Sequence, residues 1–116
     1  MGAMALFRGP QHVCVAVNEE FRAWIGGLIG VPAREQFIDD ESRRSQVLMD
    51  AVLEDGIVRI MTVLSTSGIV GVVTIVPVIR RGRVWGLVTD FQPAYVRQPK
   101  PASPGPSLTA GAGRSG

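Results

Sequence analysis

Hydrophobic and polar residues repeat along this chain with two different periods, and the changes of period lay out the elements. Met4 to Arg8 is a short apolar run closed by Gly9-Pro10, and Val13 to Val17 is rich in β-branched residues. Together they predict two short strands around a turn that ends at His12. Asn18 then offers an N-cap oxygen, and Glu19 and Glu20 suit the positive end of a helix, so a helix is expected to start there. Phe21, Trp24 and Ile25, at spacings of three and four, give it one apolar face, and Gly26-Gly27 ends it. Leu28 to Phe37 contains Gly30 and Pro32 and fits short helical turns. After Asp39-Asp40-Glu41, Ser42 is the expected cap of a longer helix whose apolar stripe is Val47, Leu48, Ala51 and Val52, with Gly56 as its left-handed exit.

From Ile57 the period becomes two. Three strands are predicted, Ile57 to Leu64, Ile69 to Ile79 and Arg83 to Phe91, joined by turns at Ser65 to Gly68 and at Arg80-Arg81-Gly82. The order is two strands, short helices, one longer helix and three strands. That is an α+β arrangement, a five-stranded antiparallel sheet with the helices on one face.

Composition divides the chain. Five of its 8 prolines (Pro93, Pro99, Pro101, Pro104 and Pro106) fall in a segment, 93–116, that is crowded with Gly, Ala and Ser. It is expected to be a disordered tail. Residues 1–92 are then one domain, too short for two cores, with Met1-Gly2-Ala3 matching a cloning scar ahead of Met4. The formal net charge of +2 also needs dividing. Three of the 12 basic residues (Arg97, Lys100 and Arg114) lie in the tail and all 10 acidic ones lie in the body, which leaves the body 9 basic groups and a net charge of −1. A nucleic-acid surface would need basic residues concentrated on it. Arg80, Arg81 and Arg83 are read instead as a solvated hairpin, and no nucleic-acid partner is expected.

The lone Cys14 excludes an intrachain disulfide and a cysteine-based zinc site, and points to a reducing compartment. The stretch Ile69 to Ile79 is broken by Gly71, Thr74 and Pro77 and falls short of the roughly 20 residues of a membrane span. Cytoplasmic localisation without membrane contact is the expectation. His12 and Cys14 lie near each other, but nothing third is placed to orient the histidine, so no enzyme is expected. Asp39-Asp40-Glu41 is read as an acidic loop before a helix rather than a metal site.

Order of elements and local residues together resemble a PAS domain, the sensory module of bacterial kinases, phosphatases and transcription regulators. The resemblance covers residues 4 to 92. It is carried by Gly9-Pro10-Gln11-His12 running into Val15-Ala16-Val17-Asn18-Glu19-Glu20-Phe21-Arg22, and by Ile29-Gly30-Val31-Pro32-Ala33-Arg34-Glu35. It continues with Asp55-Gly56 before the third strand, Pro77 closing the fourth, and Gly82-Arg83-Val84-Trp85-Gly86 opening the fifth. One departure matters: Asp90-Phe91 runs into Gln92-Pro93 without the family's Asp-x-Thr ending, and the later prolines exclude a continuous signalling helix. No cofactor is implied, since Cys14 lies in a strand, away from the flavin-reactive position, and the long helix carries no histidine for haem.

The family's register, anchored on Pro77 and Gly86, implies that Gly71, Val73, Ile75, Val84, Gly86 and Val88 point inward. With Trp24, Phe37 and Val52 from the helices they would line a narrow apolar ligand pocket. The same register puts Val70, Val72, Val76, Trp85, Leu87 and Phe91 on the outer face. A sheet face open to water should carry alternating polar residues, and this one does not, so it marks a contact surface. The expected function is a non-catalytic sensor and interaction module in signal transduction. It would homodimerise through this face, centred on Trp85, and take a small apolar ligand. The alternative is a ligand-free regulatory module that docks on a separate kinase, phosphatase or transcription regulator.

Overall fold

Strict alternation opens the structure: in β1 (Ala3–Arg8), Ala3, Ala5 and Phe7 are buried while Met4 and Arg8 are exposed. The computed structural model describes residues 2–64 and 70–94. A turn at Gly9 to His12 leads into β2 (Val13–Val17), where Leu6 faces Ala16 and Phe7 faces Cys14, so Val15 is an extra residue in a β-bulge. Asn18 caps α1 (Glu19–Trp24) as the sequence predicts, accepting the Phe21 N–H at 2.9 Å. Its amide side chain also binds Met4 N and Gly2 O, which ties the helix start to β1.

The short α2 (Ala33–Gln36) sits in the Gly/Pro-interrupted stretch, and α3 (Asp40–Asp55) follows. Here the expected cap is corrected. Asp39, not Ser42, is the N-cap, and Ser42 instead donates both its backbone N–H (3.2 Å) and its hydroxyl (2.6 Å) to the Asp39 carboxylate. The buried stripe is also rotated. Met49 and Val52 face the core while Val47 is 66% exposed, because two positions from Met49 is about 200° around a helix of 3.6 residues per turn. Gly56 ends the helix at φ +70°, in the left-handed region that L side chains avoid.

Ile57 and Val58 lie before β3 (Arg59–Leu64) rather than in it. They are held there by Asp55, which accepts the Ile57 N–H and both Arg59 guanidinium nitrogens. The Arg59 bonds keep the Asp55 carboxyl down at about 2. The turn expected at Ser65 to Gly68 lies outside the described residues, as do residues 95–116 of the expected tail. Pro93, assigned to that tail, belongs to β5 and pairs with Gly71.

β4 (Val70–Arg80) and β5 (Arg83–Pro93) complete an antiparallel sheet of order β2-β1-β5-β4-β3. The helical segment between β2 and β3 therefore spans from one edge to the other and covers one face. Pro77 does not close the fourth strand, which continues to Arg80. It is tolerated because β3 pairs with β4 only as far as Ile75, leaving Pro77 where that edge is open and a missing N–H breaks no ladder bond.

The largest correction is on β5. Val78 faces Gly86 and Ile79 faces Val84, so Trp85 is an extra residue on this strand. A bulge reverses the alternation beyond it. Val84 stays on the inner side beneath the end of α3, where a Cβ on Gly56 would lie 3.3 Å from it. Past the bulge, Leu87, Thr89 and Phe91 are buried on the inner face, and Val88 lies on the outer face opposite Val76 and Leu6. Leu87 and Phe91 are thus core residues, not surface ones, while Gly86 and Val88 leave the expected inward set.

Candidate functional site

A cavity of about 100 Å³ lies between the inner face of the sheet and the helices. Its sheet wall is Phe7, Val63, Val73, Thr89 and Phe91, one or two residues from each of four strands. Opposite stand Phe21 of α1, Ile25 at its C-cap, Ala33 of α2, Phe37 just after it, and Met49 of α3. Edge-to-face stacking fixes the rings. Phe37 meets Phe21 at 5.9 Å and Phe7 at 6.5 Å between centroids, and Trp24 stacks on Phe91 from behind at 6.3 Å.

Polar groups enter from one side. Asp39, Glu41, Ser42, Ser45 and Gln46 come from the first turns of α3, and no Lys, Arg or His lines the cavity among the described residues. Burial opposes ionisation of Asp39, yet the Ser42 hydroxyl and N–H outweigh it and hold the carboxyl below its usual range. Glu41 is paired with Arg44 at 2.7 Å. Gln46 donates to the Phe37 carbonyl at 2.9 Å, which anchors α3 to the end of α2.

Of the residues expected to line a pocket, Phe37 and Val73 do so. Val52 and Ile75 are fully buried core without cavity surface, and Trp24 is one layer behind Phe91. Gly71 lies beneath the Phe91 ring, where a Cβ would stand 2.5 Å from Cε1. Val84 packs under the end of α3. Sequence reasoning missed Phe7, Phe21, Met49 and above all Thr89 and Phe91. A signal was present: an inward set of Val84, Gly86 and Val88 continues to Asp90, and an unpaired carboxylate on the core side is costly.

His12 is the other buried polar group. It adopts φ +53° at the hairpin turn, is 5% exposed, and its Nε2 lies 2.7 Å from Asp50 Oδ1 on α3. Its carbonyl accepts the Ala33 N–H at 2.9 Å. One residue therefore links the β1–β2 turn to α2 and α3, while Nδ1 finds no partner among the described residues. Cys14 is buried core, its thiol pushed up by burial. His12→Ala is expected to destabilise the domain by about 1–3 kcal/mol through the lost bond and packing, read from urea denaturation. An effect under about 0.5 kcal/mol would leave the Asp50 link without structural weight.

Among the described residues, no helix covers the outer face of the sheet. Ile60, at 65% exposed, with Met4, Val70 and Val76 stand open to solvent, and Val72, Val78 and Val88 lie among them half-buried. At one end Trp85 is held between two arginines, with the Arg8 and Arg80 guanidinium carbons 5.6 and 5.9 Å from its ring centroid. Asp90 lies toward the other end, opposite Thr74 and Met4.

No protein-family model and no curated protein matches the sequence. Solved structures do match in fold. A sensory box sensor histidine kinase from Vibrio cholerae is similar at TM-score 0.70 and 14% identity, over 83% of this chain and 84% of that one. VqmA bound to DPO is similar at TM-score 0.65 and 19% identity, over 80% of this chain and 51% of the other, so this chain spans about half its length. The PAS domain of a protein from Colwellia psychrerythraea is similar at TM-score 0.56 and 15% identity, over 79% and 85%. The five-stranded antiparallel sheet with its helices is the PAS fold of these structures.

Proposed function

We propose, from a chain whose fold is that of PAS domains, that this protein is a non-catalytic sensor and interaction module in signal transduction, which pairs with a second copy of itself through the outer face of its sheet. The observation that carries this reading is the apolar outer face. An antiparallel sheet facing water is expected to be largely polar on that face, whereas here Ile60, Val70, Val72, Val76, Val78 and Val88 stand on three adjacent strands. A field of that kind marks a contact surface. The polar Thr62, Thr74, Asp90 and Gln92 share that face but are outnumbered by its apolar residues, and Trp85 at its margin is the residue type that most often dominates interfaces. A second copy fits because the face is basic at its Arg8–Trp85–Arg80 end and acidic at Asp90. An antiparallel pair of copies sets one end against the other.

The inner cavity supports the sensing half of the proposal. It is largely apolar, walled by aromatic rings, half open to solvent, and has a few polar groups, the usual makeup of a small-molecule site. A fold relative, VqmA, has been solved both with DPO and as a dimer.

Native mass spectrometry of the freshly purified whole chain reads both halves at once. The expected species is a dimer, with any retained ligand visible as an added mass below about 150 Da, the size of one small ring with a substituent. A monomer across the micromolar range would remove the self-pairing and favour docking on a separate effector through the same face.

A further inference from the structure

Resting on the reading of the cavity as a ligand site, we infer that its ligand is a small apolar molecule, uncharged or cationic, that hydrogen-bonds Thr89 through one polar group, and that the cavity refuses carboxylates and phosphates. Thr89 is the only polar residue that the sheet gives to the cavity among the described residues; its neighbours on that wall are Phe7, Val63, Val73 and Phe91. It is 8% exposed and lines the cavity. An occupant with a donor or acceptor at that point bonds the hydroxyl, whereas a hydrocarbon seated there cannot. Because a hydroxyl both donates and accepts, Thr89 fixes the position of the ligand's polar group without fixing its type.

Charge is decided by α3. The Ser42 hydroxyl is donated to Asp39, the Ser45 hydroxyl to the Glu41 carbonyl, and the Gln46 amide nitrogen to the Phe37 carbonyl. Every side-chain donor that α3 gives to the cavity is therefore already committed, whereas the Asp39 and Glu41 carboxylates remain acceptors. Arg44 offsets Glu41 but does not line the cavity. An anion entering here meets two carboxylates and one hydroxyl, and loses its hydration for no cationic partner. A neutral hydroxyl or amine, or an ammonium, meets acceptors. The volume of about 100 Å³ is smaller than the roughly 150 Å³ apolar cavity that accepts benzene. The cavity is half open, so a single ring can seat in it with a substituent directed toward solvent.

Toluene, phenol, benzylamine and benzoate serve as probes of one shape and four chemistries, titrated into the whole chain at pH 7 by calorimetry, with melting curves alongside. Phenol should bind about tenfold more tightly than toluene, the equivalent of one ordinary hydrogen bond, and benzoate at least tenfold more weakly than phenol. Benzylamine should bind more tightly than benzoate. Thr89→Val should remove phenol's advantage while leaving toluene within about twofold, and Thr89→Ser, which keeps the hydroxyl, should restore it. Benzoate binding as tightly as phenol, or a phenol advantage that survives Thr89→Val, would overturn the inference while leaving the cavity a ligand site. If none of the four probes binds or raises the melting temperature, the cavity is not a ligand site and the inference falls with it.

Discussion

Gly86→Ala is expected to cost the domain about 3 kcal/mol, since overpacking of this kind runs at 1–3 kcal/mol and here meets rigid backbone. For a domain of this size each kcal/mol shifts the midpoint by about 4–8 °C, so a fall of roughly 12–24 °C in melting temperature should be seen by circular dichroism. The cause is a close approach between two central strands. A Cβ at position 86 would overlap the Phe7 carbonyl oxygen and come within 3.1 Å of the Arg8 Cα, both on β1. Neither can swing aside as a side-chain tip would, because β1 is hydrogen-bonded to β2 on its other edge. Gly86 therefore marks the place where the bulge at Trp85 brings β5 against β1. A melting temperature within about 3 °C of wild type would mean that the two strands are not so closely apposed.

Leu87→Ala and Val88→Ala should differ sharply although the two residues are neighbours. Leu87 is fully buried, with 0% exposure, and truncating it removes transfer energy and leaves a cavity, for about 2–5 kcal/mol. Val88 sits half-buried on the outer face, and its truncation should cost the fold less than about 1 kcal/mol. Urea denaturation of the two variants reads the register of β5 directly. Equal losses, or a larger loss at Val88, would reverse the faces of the strand.

Legibility in the sequence followed locality. The order of elements, the Asn18 cap, the bounds of β2 and the left-handed exit at Gly56 rest on neighbouring residues, and the structure shows them where local chemistry puts them. The cap of α3 was ambiguous for a local reason: Asp39 and Ser42 are both good capping residues three positions apart, and each uses the other. The faces of β5 were illegible for a different reason. Val84, Trp85, Leu87 and Val88 are apolar on both sides of the strand, so a period of two fits either register, and the bulge arises from pairing with β4 that no local pattern encodes. Only Asp90 and Phe91, further along, break the tie.

The candidate site shared that fate. Phe37 and Val73 could be placed because they lie on elements without a bulge, whereas Thr89 and Phe91 were displaced by a single residue inserted upstream. His12 showed the opposite failure. Its position in a turn was plain, but its partner Asp50 is 38 residues away on another element, and a contact of that range leaves no local trace.

The central claim, that the outer face of the sheet is apolar because it covers a second copy, is tested most directly by sedimentation velocity of wild type and Val88→Glu, with far-ultraviolet circular dichroism on the same samples. Val88 lies on β5 between Val76 of β4 and Leu6 of β1, so a carboxylate there is placed within the apolar field of the outer face. A wild-type dimer and a Val88→Glu monomer with an unchanged spectrum are expected. A Val88→Glu protein that stays dimeric with native secondary structure, or one that loses its fold, would contradict the claim.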